Sequence, residues 1–191
     1  MQPYAHLNIP HESITKKLKQ FVIDRRFNTD GLPNGNFLTK VSVEDTFQAV
    51  PELKTLFEMY ELNDLAAIMI VKAPPISEGL TYPHIDIMPP SFKDTNIAIN
   101  WPILNYENTY TTFYEAKPNA VSKTTTLING WPYSYFAFED VVEQYRIKID
   151  RPTAFRYDRI HSVINETDDY RFTASFRFRN NHPELFEKDY E

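Results

Sequence analysis

The sequence predicts an α+β chain: a β-sandwich or jelly roll with helices packed on one of its sheets. Three observations predict it. Before Leu65, apolar residues recur at helical spacing. From Leu65 onward the period falls to two, and β-branched and aromatic residues take over. Turn signals then separate the short segments about every eight to twelve residues, without alternating helices, which disfavours a parallel α/β sheet.

The elements follow in order. Ile14, Leu18, Phe21 and Val22 lie on one face of a helix over His11 to Val22. A Gly-, Pro- and Asn-rich loop from Asn28 to Asn36 ends that region. Ser42-Val-Glu-Asp45 reads as a capping box, so a second helix starts near Val43. Pro51 opens a third helix to Tyr60, with Leu53, Leu56, Phe57 and Tyr60 as its apolar face. Strands are expected over Leu65–Lys72, Tyr82–Met88, Asn96–Ile103, Tyr110–Glu115, Ser122–Leu127, Tyr133–Phe138, Tyr145–Ile149, Thr153–Asp158, His161–Ile164 and Tyr170–Arg179. Residues 1–191 thus read as a single domain, with a helical support region (1–64), a jelly-roll core (65–179) and a C-terminal tail (180–191). Trp101 and Trp131 read as core residues.

Composition narrows the function classes. The chain has no Cys, which removes disulfides, thiolate metal sites and thiol nucleophiles. A net charge of −6 opposes general nucleic-acid binding, because phosphate contacts need the opposite sign. Arg151, Arg156, Arg159, Arg177 and Arg179 read as cations on solvated strand faces. No apolar run is long enough to span a bilayer, and Met1-Gln-Pro-Tyr-Ala-His lacks the basic start of a secretion signal. The expectation is a cytoplasmic monomer or dimer without a membrane partner, and the sequon Asn165-Glu166-Thr167 reads as a chance match.

Chemistry concentrates at three places. His84 and Asp86 are two apart on a strand, so their side chains share a face. His161 is the remaining strand histidine available as a third ligand. Two imidazoles and one carboxylate on a triangular face leave positions open, which suits non-haem Fe(II). On the last strand Arg171, Thr173, Ser175 and Arg177 alternate with Phe172, Ala174, Phe176 and Phe178, one face polar and the other apolar. A turn at Asn165–Asp169 is expected to fold His161 and Arg171 onto neighbouring antiparallel strands. Arg171 then offers a forked donor for a carboxylate. Tyr82, Asn96, Asn100 and Tyr114 are further candidates for the cavity wall, with Tyr82 and Asn100 placed nearest the co-substrate. Asp168 and Asp169 read as turn residues rather than a hydrolytic pair.

The pattern His84-x-Asp86, His161, Arg171 resembles the 2-oxoglutarate- and Fe(II)-dependent oxygenases, particularly short stand-alone phage and bacterial members. The resemblance runs from about Leu65 to Arg179. It implies a double-stranded β-helix, the distorted, cupin-like jelly roll, with supporting N-terminal helices. It also implies Fe(II) on His84, Asp86 and His161, 2-oxoglutarate held at its far carboxylate by Arg171 and Thr173, and O2 as oxidant. Arg171-Phe-Thr173 is similar to an Arg-x-Ser motif of one branch. The implied reaction is hydroxylation of a C–H bond, on a small molecule or an amino-acid side chain, with release of succinate and CO2. Two alternatives remain open: a cupin-like metal enzyme that does not use 2-oxoglutarate, and a non-catalytic jelly roll with a structural or binding role.

Overall fold

A computed structural model describes residues 2–25, 37–78, 81–86, 95–126 and 132–187. Three helices and twelve strands follow in the order β1 (Tyr4–His6), α1 (Glu12–Asp24), β2 (Phe37–Val41), α2 (Val43–Ala49), α3 (Pro51–Met59), β3 (Leu65–Ala73), β4 (His84–Asp86), β5 (Ile97–Leu104), β6 (Thr109–Ala116), β7 (Lys123–Thr126), β8 (Pro132–Tyr135), β9 (Val141–Ile147), β10 (Thr153–Arg156), β11 (His161–Asn165) and β12 (Arg171–Phe178). The three expected helices form where apolar spacing and caps placed them. Ser42 accepts from the Asp45 amide, and Pro51 occupies the first turn of α3. Two strands that the sequence reading missed, β1 and β2, lie inside the region expected to be helical. Each is short and sits at a sheet edge, so neither shows a long alternation. Trp131 lies outside the described residues.

The strands form two antiparallel six-stranded sheets, β1-β10-β5-β12-β3-β2 and β7-β8-β4-β11-β6-β9. The outer face of the first sheet is covered by helices. Phe172, Ala174, Phe176 and Phe178 of β12, Ile97, Ile99, Trp101 and Ile103 of β5, and Ile68 and Ile70 of β3 pack against Leu18, Val22, Leu53 and Phe57. Phe176 meets Phe57 edge-on at 5.1 Å between ring centres and Trp101 at 6.0 Å. The Trp101 indole N–H, on that buried face, donates to the Thr15 hydroxyl at 2.8 Å. No described helix is long and apolar enough to cross a membrane.

The inner face of the first sheet is of a different kind. Arg171, Thr173, Ser175 and Arg177 all point inward, opposite Ala73, Val71, Met69 and Ala67 of β3. Alanines beside both arginines leave room for the guanidinium groups. The apolar filling between the sheets is small and gathers at one end, around Ala98, Phe113, Ile147, Ile149, Phe155 and Tyr157.

One expectation is corrected here. β11 and β12 are not neighbours: β11 belongs to the second sheet and β12 to the first. The turn between them carries the chain from one sheet to the other, so His161 and Arg171 belong to opposing walls. Asn165 fixes this crossing. Its amide donates to the carbonyls of Ala73 (3.1 Å) and Asp169 (2.8 Å), and its oxygen accepts from the Thr167 amide and hydroxyl. A buried asparagine with both ends engaged leaves no acceptor for the glycan its sequon would specify.

The tail also departs from expectation. His182, expected in a polar tail, is buried with its ring against Phe178, and it bridges Asp64 and Glu184 at 2.8 Å each. Replacing Phe176 by alanine removes the ring at the centre of the helix–sheet interface. The expected loss is about 3–5 kcal/mol of unfolding free energy, read by urea denaturation.

Candidate metal centre and anion site

β4 is only three residues long, yet it is bonded on both sides, to β8 and β11. That double support fixes His84 and Asp86. His84 is the cross-strand partner of His161, and their rings lie 4.3 Å apart. Each imidazole is oriented by its own chain. The Nδ1 of His84 meets the Tyr82 carbonyl and the Nδ1 of His161 meets the Arg159 carbonyl, both at 2.8 Å. A carbonyl oxygen only accepts, so each Nδ1 carries the hydrogen, and the lone pair of the neutral tautomer lies on Nε2, turned away from it.

Those two nitrogens face Asp86. Nε2 of His84 is 3.5 Å and Nε2 of His161 is 3.9 Å from Oδ1 of Asp86. One ligand atom from each of the three residues lies within 4.8 Å of the others. Three lone-pair groups pointed at one spot can hold a cation between them, and this donor set suits a first-row divalent metal. The other oxygen, Oδ2, accepts from Nη2 of Arg177 at 2.8 Å. Arg177 therefore turns Oδ1 toward the histidines. It is held in turn by the ring of Tyr157, 4.4 Å from the guanidinium carbon, and the Tyr157 hydroxyl is bonded to Thr95.

Burial works to raise the Asp86 pKa, but the groups packed against it, His84, Arg177 and His161, outweigh it. The carboxyl is held well below its usual range. His161 is lowered to about 3, by burial first and then by repulsion from His84. Both groups favour their metal-binding protonation states at neutral pH.

Arg171 stands apart from this cluster, six residues before Arg177 on the same strand face. It is 3% exposed, and among the described residues it makes no ion pair. Its Nε has no hydrogen-bond partner, nor do Thr173 Oγ1, Ser175 Oγ and Asn100 Oδ1 on the same face. Burial alone lowers Arg171 to about 10, so it remains a cation at neutral pH. An unpaired buried cation beside unsatisfied hydroxyls is a poor structural element and a good anion site.

The structure brings His84, Asp86 and His161 together, as the sequence reading expected, and sets Arg171, Thr173 and Asn100 along the facing wall, where that reading had Arg171 on a strand beside His161. Tyr82 contributes its carbonyl to His84, while its ring, 51% exposed, lies on Tyr135 and Phe138. Tyr114 shares a face with Ser162, to which its hydroxyl bonds, on the side away from His161. Asn96 is tied to Asp158 and Asn181. Arg177 was missed. The reading put it on a solvated face, yet it is buried against Asp86, and its even spacing from Arg171 was the available signal. Arg156 is likewise paired, with Asp158 at 2.8 Å.

Two outcomes test this site. His161→Ala is expected to abolish stoichiometric Mn(II) binding by calorimetry, whereas Arg177→Met keeps the stoichiometry and weakens affinity by about 10–100-fold. In the metal-free protein, His161 binds a proton more readily unfolded than folded, so stability falls as pH drops from 6.5 toward about 3. Asp86, lowered in the fold, adds a further loss as pH falls through and below its unfolded value of 3.8. Urea midpoints of the metal-free protein against pH check the slope, which flattens in His161→Phe.

No protein-family model matches the sequence, and no curated protein does. Solved structures do match in fold. The epimerase SnoN, solved with Fe3+, alpha ketoglutarate and nogalamycin RO, aligns at a TM-score of 0.53 and 15% identity, over 93% of this chain and 79% of that one. HygX from Streptomyces hygroscopicus, with nickel and 2-oxoglutarate bound, gives 0.52 and 9% over 91% and 81%. A Pseudomonas putida prolyl-4-hydroxylase gives 0.51 and 10% over 95% of both chains. Across nearly its whole length, the chain has the fold of these proteins.

Proposed function

We propose that the protein is a 2-oxoglutarate- and Fe(II)-dependent dioxygenase. It hydroxylates a C–H bond of a small molecule or an amino-acid side chain and releases succinate and CO2. The two sheets, with the chain crossing between them at Asn165, correspond on this reading to a double-stranded β-helix. The observation that carries the proposal is Arg171, a buried guanidinium with no anionic partner among the described residues, on the wall facing a two-histidine, one-carboxylate cluster.

His84, Asp86 and His161 would hold the iron. When bound, iron supplies the activation of O2 that 2-oxoglutarate decarboxylation and C–H oxidation require. The chain's own residues do the rest. The carbonyls of Tyr82 and Arg159 hold the hydrogen at each Nδ1 and aim both Nε2 atoms inward. Arg177 holds Asp86 to a single inward oxygen, which leaves ligand positions open. Arg171 takes the far carboxylate of 2-oxoglutarate, and the Thr173 hydroxyl, unsatisfied two residues on, donates to the same group. Helix-backed packing behind β12 keeps water from Arg171, so its attraction for a carboxylate is weakly screened.

A cupin-like enzyme without 2-oxoglutarate would use the histidines and Asp86 but leave Arg171 unpaired. A non-catalytic jelly roll would leave the whole inward row unexplained. Anaerobic titration of the Fe(II) protein with 2-oxoglutarate separates them. The wild type is expected to develop a visible charge-transfer band, and Arg171→Met to need on the order of 100-fold more 2-oxoglutarate for half its amplitude. A protein that keeps iron but shows no band belongs to the cupin-like class, and one that retains no metal belongs to the non-catalytic class.

A further inference from the structure

Asp86 is held from across the interior as well as by its own strand. It ends β4, and on the β11 side the ladder of β4 stops at the His84–His161 pair. The Asp86 amide donates instead to the carbonyl of Tyr157 at 3.2 Å, and Tyr157 directly follows β10 of the first sheet. The ring of Tyr157 lies against Arg177, whose Nη2 holds Oδ2 of Asp86. One residue of the facing wall thus governs the carboxylate twice, by its carbonyl and, through Arg177, by its ring. Tyr157 is only 2% exposed, so both contacts are fixed by packing.

Tyr157 is in turn tied to the C-terminal segment. Its amide donates to the Asn96 carbonyl at 3.0 Å, and its hydroxyl is bonded to Thr95 at 2.6 Å. The Asn96 amide donates to Oδ1 of Asn181 at 2.8 Å, while its side chain donates to Asp158 at 3.1 Å. Asn181 belongs to a hook that follows β12. The Asn180 amide donates to Oδ2 of Asp64 at 2.7 Å, the Arg179 amide to the Asp64 carbonyl at 3.0 Å, and His182, packed on Phe178, bonds Oδ1 of Asp64 at 2.8 Å. Beyond it, Leu185 of the short turn Pro183–Phe186 is buried in the helix-side core. A carboxylate at one end and a buried leucine at the other fix the hook, and Asn96 hangs from it.

We propose that Tyr157 is a positioning residue for the metal-binding carboxylate, and that the C-terminal hook, anchored by His182 on Asp64, sets its placement through Asn181 and Asn96. This rests on the reading of His84, Asp86 and His161 as metal ligands, and it gives the hook a part in metal binding although no hook residue belongs to that cluster. Contacts behind a ligand aim its donor atom, so their loss weakens affinity and alters ligand geometry while the stoichiometry stays.

The probe is Mn(II), with calorimetry reading affinity and electron paramagnetic resonance reading the symmetry of the ligands; neither needs turnover. Tyr157→Leu takes the ring from Arg177 and is expected to weaken Mn(II) binding about tenfold and to broaden the resonance. Tyr157→Phe keeps the ring and the carbonyl and should stay close to wild type. His182→Ala, which frees the hook, should weaken binding about threefold. Combined with Tyr157→Leu it should add nothing, because the two act in series. Thr15→Val removes a comparable hydrogen bond, from Trp101 on the helix side of the first sheet, and should leave Mn(II) binding unchanged. A His182→Ala protein with a lowered urea midpoint but wild-type affinity and line shape overturns the proposal, as does a loss in Thr15→Val equal to that in His182→Ala, or one in Tyr157→Phe equal to that in Tyr157→Leu. The two pairs of variants are independent, so a variant that fails to fold leaves the other pair to decide. Wild-type protein that binds no Mn(II) overturns the metal-centre reading itself; wild-type binding that none of the substitutions alters overturns this proposal alone.

Discussion

Three lone-pair groups turned toward one another set the terms for this structure. In isolation, Nε2 of His84, Nε2 of His161 and Oδ1 of Asp86 would repel, and the chain spends several interactions to keep them facing. The same device is used twice, an Nδ1–H bond to the carbonyl two residues upstream, at Tyr82 and at Arg159. Arg177 completes it from the opposite sheet. A site held by main-chain acceptors and a buried guanidinium is rigid before any ligand arrives, and such preorganisation is what a metal centre of defined geometry needs.

The two-sheet architecture explains how six residues of β12 separate two functions. β12 is central in the first sheet, bonded to β3 and β5, and its apolar side is locked by Phe57 and Trp101. Its inward side therefore presents a fixed ruler: Arg177 at the candidate metal ligands, and Arg171 six residues away, past the intervening Ser175 and Thr173. The crossing at Asn165 places that ruler across the interior from His161 rather than beside it. A bound molecule can then lie between the walls and touch both.

Much of this was legible in the sequence. Period-two alternation found ten of the strands, and the same alternation put Arg171, Thr173, Ser175 and Arg177 on one face. The His84-x-Asp86 pair needed only strand parity. What sequence could not supply was which sheet each strand joins. A five-residue turn closes a hairpin as readily as it crosses a sandwich, and the choice at Asn165 depends on a bond to Ala73, which is remote in sequence. Arg177 was missed for a related reason: an arginine on a strand is usually solvated, and only the distant Asp86 makes this one buried. His182 was misread in the same way, because its partner Asp64 lies far upstream.

The interior charge balance orders the binding events. Among the described inward groups, two guanidiniums, Arg171 and Arg177, face one carboxylate, Asp86, and Asp86 is already paired with Arg177. The remaining positive charge sits on Arg171, and a divalent cation at the histidines adds to it. On the proposed function, a dicarboxylate entering between them would meet cations at both ends, so each partner would raise the affinity of the other, and linkage makes that enhancement mutual. Because Arg171 is buried, the enhancement resists salt better than a surface pair would. Among the described inward groups the fold itself thus carries one unpaired positive charge, at Arg171, which a single carboxylate neutralises.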